Sequence, residues 1–367
     1  MKILVTGSNG FIGKNLCFQL EEQGFNDIVK IDRTHSIEQL DSAIQEADFI
    51  FHLAGVNRPK NENEFKQGNA DLTSYIVNTL QKANLKTPIL LSSSIQVEQT
   101  NAYGESKAQA ENAVRDYAVQ TQANVYIYRL PNVFGKWCRP NYNSVIATFC
   151  HNIVNDIPIS VNDPGAKVNL VYIDTVCEHF IRHLTSNEPS GEQSISPVYP
   201  TTVGEIASSL QAFKASKDSL ITENVGVGFL RALYSTYISY YSPEQFSYTV
   251  PAYSDPRGSF CELLKTKFAG QFSFFTAHPG ITRGGHYHHT KNEKFLVIKG
   301  EAKFRFENIA TGECYEKDVT GNDYTVVETV PGWSHDVTNI GDSELIVMLW
   351  ANEIFDREKP DTFAKPL

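Results

Sequence analysis

Apolar positions in the first two-thirds of the chain follow two alternating rhythms. Short apolar runs at Lys2–Thr6, Ile28–Ile31, Phe49–Leu53, Ile89–Ser92 and Val125–Leu130 have the length and content of buried strands. Between them Ile12–Gln23, Ile37–Ala47, Asp71–Ala83 and Lys107–Val119 are amphipathic at helical spacing. Further helices are expected at Val145–Asn155, Thr175–Leu184, Val203–Phe213 and Phe229–Tyr240. Strand and helix alternating in this way predict an α/β domain with a doubly wound parallel sheet of the Rossmann type. After Pro243 the rhythm changes. Strand-like runs at Gly258–Leu264, Gln271–Ala277, Glu293–Ile298, Ala302–Asn308, Tyr324–Val330 and Leu345–Trp350 are separated by Gly, Pro, Asn and Asp, with little helical spacing. That pattern predicts an all-β sandwich or barrel. The expected domains are 1–243 and 244–367.

Composition narrows the function classes. A chain of 367 residues is long for one core. Its net charge of −10 argues against nucleic acid or an anionic membrane as partner, since either needs a basic surface. The six cysteines form no CxxC pair and read as small core residues, not a disulfide framework. The apolar run at the N-terminus is too short for a signal peptide, and no window reaches the length of a membrane span. A cytoplasmic location is expected.

Gly7-Ser8-Asn9-Gly10-Phe11-Ile12-Gly13 follows the first strand and opens the first helix. Glycines there allow a tight turn and close approach of a pyrophosphate, and the helix N-terminus, at Phe11 and Ile12, supplies amide donors. The ribose end is two-sided. Asp32 would accept from a 2′-hydroxyl, favouring NAD, whereas Arg33 would pair with a 2′-phosphate, favouring NADP.

Tyr103 and Lys107 stand at i and i+4, sharing one helix face. A nearby ammonium favours the phenolate and makes tyrosine usable in proton transfer. Ser92-Ser93-Ser94 ends the preceding strand, where a hydroxyl could hold a carbonyl. Ser94 is the chosen partner, with Ser93 the alternative. Together these motifs resemble the extended short-chain dehydrogenases/reductases, a family acting largely on nucleotide sugars. The resemblance covers about residues 1–240 and includes His52-Leu53-Ala54-Gly55, Arg129–Gly135 and Val171–Asp174. It implies that Leu53, Ala54 and Gly55 border the cofactor, that Tyr103 moves the proton and that Lys107 also holds the nicotinamide ribose. The gap between the serines and Tyr103 is shorter than the family's usual loop. Asn132, Lys136, Trp137, Arg139 and Asn141 follow the fifth strand and offer a stacking face, cations and amides to a uridine diphosphate.

The second half carries a metal signature. Gly280, His286, His288, Glu293 and Gly300 fit the first cupin motif at every spacing, and Pro331–Asn339, with His335, resembles the second. Two histidines two apart on a strand face the same side, which points His289 away from them. Three imidazoles and a carboxylate suit Zn²⁺, Fe²⁺ or Mn²⁺. Asp255-Pro256-Arg257-Gly258-Ser259-Phe260 is similar to a segment of the cupin-like 3,5-epimerases of 4-keto sugars, which implies a substrate contact for Arg257. Across its length the chain resembles the bifunctional capsular-polysaccharide enzymes of the CapF type. That resemblance implies C3 epimerisation of a UDP-2-acetamido-2,6-dideoxy-4-hexulose in the cupin, then C4 reduction with NADPH. It also implies zinc, a homodimer and a product on the way to UDP-N-acetyl-L-fucosamine. The cofactor choice of NADPH rests on it. The competing reading is a single-activity reductase whose cupin is structural or dimerising.

Overall fold

The computed structural model describes all 367 residues. They pack as two compact units, Met1–Leu210 with Ala232–Tyr240, and Gln211–Arg231 with Tyr241–Leu367. The segment Gln211–Arg231 therefore belongs with the β-rich unit, whereas its sequence reads as a continuation of the first.

In the first unit β1 (Ile3–Thr6), α1 (Phe11–Glu22), β2 (Ile28–Ile31), α2 (Ile37–Glu46), β3 (Phe49–His52), α3 (Leu72–Lys82), β4 (Ile89–Ser94), α4 (Ala102–Thr121) and β5 (Val125–Leu130) follow the apolar rhythm. They continue into β6 (Asn132–Phe134), α5 (Val145–Val154), β7 (Lys167–Tyr172), α6 (Ile173–Arg182), β8 (Gly191–Gln193), β9 (Tyr199–Thr202), α7 (Val203–Ser219) and α8 (Gly228–Ile238), of which the end of α7 from Gln211 and the start of α8 up to Arg231 count with the second unit. The main sheet is parallel, ordered β2-β1-β3-β4-β5-β8. Winding reverses between β1 and β3, and the crevice beyond their carboxyl ends is where such sheets hold ligands. Alternate residues supply the two faces. Ile3, Val5, Phe49 and Phe51 pack with Leu16, Leu20 and Phe180; Leu4, Ile50, Ile89 and Leu91 pack with Leu40, Ile76, Leu80 and Val114. Each such buried side chain contributes about 1.5–3 kcal/mol. Burial on both faces is why these strands read as unbroken apolar runs. The small sheet β6-β7-β9 has no such run and is not legible in the sequence.

Apart from the helical parts of Gln211–Arg231, the second unit is built on β-strands, a cupin barrel of two sheets. Its strands are β10 (Ile221–Thr222), β11 (Ala252–Asp255), β12 (Gly258–Thr266), β13 (Gly270–Ala277), β14 (Thr282–Tyr287) and β15 (Glu293–Lys299). They are followed by β16 (Glu301–Asn308), β17 (Cys314–Thr320), β18 (Val326–Glu328), β19 (Trp333–Asn339), β20 (Leu345–Ala351) and β21 (Phe363–Ala364). One sheet runs β10-β12-β13-β20-β15-β18, with β11 on β12; the other runs β17-β16-β19-β14-β21. Phe275, Phe295, Val297, Phe304, Val337 and Val347 fill the core. No helix is long and apolar enough to cross a membrane.

Candidate active site and metal centre

The glycine turn sits at the sheet's switch point. Gly7 lies at φ +69°, Gly10 N–H donates to Gly7 carbonyl at 2.9 Å, and α1 starts at Phe11 with no side chain capping it. The opening amides of α1 are thus left for a ligand. A Cβ on Gly13 would lie 2.3 Å from the Gly7 carbonyl oxygen, so this helix can approach the turn only with glycine there. Gly7, Gly10, Phe11, Ile12, Gly13, Arg33, Leu53 and Gly55 line a groove of about 1450 Å³. Ala54 supports the turn from behind, its backbone nitrogen 2.7 Å from where a Gly7 Cβ would stand. These features fit a dinucleotide. Beneath them His52 is fully buried between Thr6 (2.7 Å) and Thr73 (2.9 Å), and burial pushes its pKa down to about 3, so it ties strands and helix together as a neutral ring.

The ribose corner is asymmetric. The Asp32 carboxylate accepts from Thr34 N–H (2.8 Å) and Thr34 Oγ1 (2.6 Å) and contacts His35 Nδ1 at 3.0 Å within its own turn, and it also accepts from Asn9 of the glycine turn. Arg33 is exposed on the groove wall.

The same groove holds Tyr103, Lys107 and all three serines. The serines are not equivalent. Ser92 Oγ donates to His52 carbonyl at 3.4 Å, and Ser93 Oγ donates to buried Glu111 at 2.6 Å. Ser94 lines the groove with Tyr103 and is the serine that acts on its phenol. The short gap is closed by a 3₁₀ turn at Ile95–Glu98, which starts where Ser94 Oγ accepts from Gln96 N–H (3.2 Å). Gly104 permits this: a Cβ there would lie 2.3 Å from Gln99 carbonyl oxygen and 2.6 Å from that of Gln96. Asn101 caps α4 through Gly104 N–H at 2.8 Å.

Charge in this pair runs opposite to the sequence expectation. Burial raises the Tyr103 pKa, which neighbouring Ser94 only partly offsets, so the phenol is protonated. Lys107 is the group that shifts. Burial pushes it down to about 8 against the pull of Glu111, with Nζ donating to Ser92 carbonyl at 3.1 Å. Glu111, one turn further along the same face, also takes Arg129 (2.8 Å) and so joins α4 to the ends of β4 and β5. Sequence reasoning did not single it out, although Tyr103, Lys107 and Glu111 repeat at four-residue intervals.

Asn132, Trp137, Arg139 and Asn141 line the groove's far end. Trp137, at φ +68°, is flanked by Phe18 (5.1 Å) and Lys14 Nζ (4.8 Å). Lys136, its amine 5.6 Å from the Trp137 ring, is turned toward a protein partner. Its amine pairs with Asp174 at 2.6 Å, and the groove lining excludes it. Arg257 likewise is not drawn into a pocket. It tips the β11–β12 hairpin, exposed and ion-paired to Asp255 at 2.6 Å, because Pro256-Arg257 makes the two-residue turn.

In the second unit His286, His288, Glu293 and His335 converge, their ligand atoms all within 4.8 Å of one another. A bulge between Gly284 and His286 shifts the β14–β19 register so that His286 stands opposite His335. Glu293 enters from the other sheet, at the start of β15. His289 is exposed, as strand alternation implies. Burial, then the neighbouring His335, push the His286 pKa down to about 4. Glu293 is buried, which pushes its pKa up, yet Lys291, at 2.8 Å, helps to hold it ionised. His335 Nε2 is 3.4 Å from Glu293 without hydrogen-bond alignment, and neither His335 nitrogen has a hydrogen-bond partner. An unpartnered, buried ring nitrogen 3.4 Å from a carboxylate, with two more imidazoles beside it, fits a divalent cation.

The fold and both sites define the class: the chain belongs to the NAD dependent epimerase/dehydratase family, which it matches over residues 3–195. Residues 253–363 match the polysaccharide biosynthesis C-terminal domain. The chain is of the CapF type. It is 43% identical to capsular polysaccharide assembling protein CapF from Staphylococcus aureus, with a TM-score of 0.92 and 100% of both chains covered. A UDP-2-acetamido-2,6-beta-L-arabino-hexul-4-ose reductase from Pseudomonas aeruginosa is 53% identical over 365 residues, 99% of this chain and 98% of the relative. A GDP-6-deoxy-D-talose 4-dehydrogenase from Aggregatibacter actinomycetemcomitans is 30% identical, covering 51% of this chain and 72% of its own. The family implies an NAD(P) cofactor, which the groove accommodates.

Proposed function

We propose that this chain is a bifunctional nucleotide-sugar enzyme acting on a UDP-2-acetamido-2,6-dideoxy-4-hexulose. The cupin, residues 244–367, epimerises C3; the reductase, residues 1–243, then reduces the C4 ketone with NADPH. The product is a UDP-N-acetyl-L-talosamine-type sugar, UDP-2-acetamido-2,6-dideoxy-L-talose, a precursor of UDP-N-acetyl-L-fucosamine for capsule. The carrying observation is the gathering of Ser94, Tyr103 and buried Lys107, the last two on one helix, at the wall of the dinucleotide groove. The reductase name of the 53% identical relative supports the substrate class.

The order of steps follows from the chemistry. The C3 proton is acidic only while C4 is a ketone, so epimerisation precedes reduction. When bound, NADPH supplies the hydride, and a Zn²⁺ ion (or Fe²⁺ or Mn²⁺) held by His286, His288, Glu293 and His335 supplies Lewis acidity. Ser94 positions the C4 carbonyl. Tyr103, protonated at neutral pH, donates its proton to the alkoxide forming at C4. Lys107, charged below about pH 8, steadies the phenolate left behind and holds the nicotinamide ribose. Arg33 takes the 2′-phosphate, since Asp32 is spent on its own turn. Trp137, Arg139, Asn141 and Asn132 receive the uridine diphosphate. The reading includes a cytoplasmic homodimer, checked by light scattering.

The test separates the halves. With metal-loaded protein, substrate and D₂O but no NADPH, the C3 proton exchanges, followed by NMR. Tyr103→Phe keeps this exchange while NADPH oxidation drops by about 10²–10⁴-fold. Reduction without C3 exchange above the buffer rate overturns the epimerase assignment and leaves a reductase with a structural or dimerising cupin.

A further inference from the structure

The chain's last residues fold back onto the strands that carry the metal ligands. We infer that Asp361 is a positioning residue for the metal centre, holding His288 and the turn to Glu293 in ligating geometry; this rests on the metal reading above. Strand β21 extends the sheet edge, with Ala364 opposite His286 and Phe363 opposite Tyr287. Lys365 N–H donates to Gly285 carbonyl at 2.8 Å, and Ser334 Oγ, next to His335, donates to Lys365 carbonyl at 2.5 Å.

Asp361 then acts through two groups. Its backbone carbonyl lies 2.5 Å from His288 Nδ1. A carbonyl can only accept, so that nitrogen carries the hydrogen and Nε2 presents its lone pair 3.3 Å from Glu293. Its carboxylate accepts from the backbone N–H groups of His289 (3.0 Å), Thr290 (2.7 Å) and Lys291 (2.8 Å), and from Thr290 Oγ1 (2.9 Å). Those amides form the turn between His288 and Glu293. Lys291, fixed by the same clamp and buried, reaches Glu293 Oε1 at 2.8 Å. One residue therefore sets the ring of one ligand and the path to a second. Partners of this kind govern metal affinity, and losing one typically costs about 10–100-fold.

The test is competition for Zn²⁺ between a chromophoric chelator and the full-length, metal-free chain, in the parent and in Asp361→Ala. Circular dichroism and thermal unfolding without metal report the fold. The clamp is supported if Asp361→Ala is folded and its Kd for Zn²⁺ rises about 10–100-fold. Asp356→Ala, whose carboxylate serves only its own turn at Glu358 and Lys359, is the control and keeps the parent's Kd. The clamp is overturned if the parent binds Zn²⁺ and folded Asp361→Ala binds it within about threefold, well short of the loss expected for such a partner. Should Asp361→Ala fail to fold, Asp361→Asn, which keeps the backbone carbonyl and side-chain volume, is judged by the same thresholds. A parent that binds no Zn²⁺ removes the metal reading itself.

Discussion

Lys107→Met is expected to stabilise the first unit while removing its reductase chemistry. Lys107 is 8% exposed and charged at neutral pH, and its pKa falls from 10.5 to about 8 because burial penalises the ammonium. At 1.36 kcal/mol per pKa unit, that drop means roughly 3 kcal/mol spent on keeping the charge inside. Methionine has similar reach and no charge. It gives up the hydrogen bond to Ser92 carbonyl, about 1 kcal/mol. The net gain is about 1–2 kcal/mol, or roughly 2–8 °C in Tm for a domain of this size.

The pH dependence follows from linkage. Below about pH 8 the amine is protonated in folded and unfolded chains alike, and the cost is constant. Between about 8 and 10.5 the unfolded chain holds the extra proton, so the parent gains stability as pH rises. The gap between variant and parent therefore closes across that window. Thermal or urea unfolding of the NADPH-free proteins at pH 7 and pH 10 measures both effects, and NADPH oxidation measures the lost activity. A variant that unfolds more readily than the parent at pH 7, or a gap unchanged at pH 10, would refute the reasoning.

Two further outcomes follow from the groove. Arg33→Ala is expected to weaken NADPH binding by about 10–100-fold, the worth of a charge-assisted hydrogen bond, with NADH binding little changed; fluorescence titration reads both, and equal losses would count against a 2′-phosphate contact. Gly13→Ala places a methyl 2.3 Å from Gly7 carbonyl oxygen and 2.8 Å from Ser8 Cα, so overpacking costs about 1–3 kcal/mol in thermal unfolding and dinucleotide binding falls with it. Unchanged Tm and affinity would mean that α1 can withdraw from the turn.

What the sequence discloses depends on which force shapes each segment. The parallel sheet is legible because its central strands are buried on both faces, so Val125–Leu130 appears at its true bounds. Two strands of the histidine cluster, β14 and β19, carry no such apolar run. β14 reads Thr-Arg-Gly-Gly-His-Tyr and β19 reads Trp-Ser-His-Asp-Val-Thr-Asn, with the polar side chains the site needs where apolar ones would have marked a strand. The motif spacing nonetheless picks out the four side chains that converge, because a site of fixed chemistry sets residue type and interval even where periodicity fails. Proximity through the fold leaves no such trace. Lys136 looks like a substrate cation until Asp174, thirty-eight residues on, takes its amine. Asp361 sits in an irregular tail, seventy-three residues beyond the histidine it orients. Contacts of that span are set by the register of β14 with β19 and β21. A single bulge there decides whether His286 faces His335 or the sheet's other side, and only the folded chain shows it.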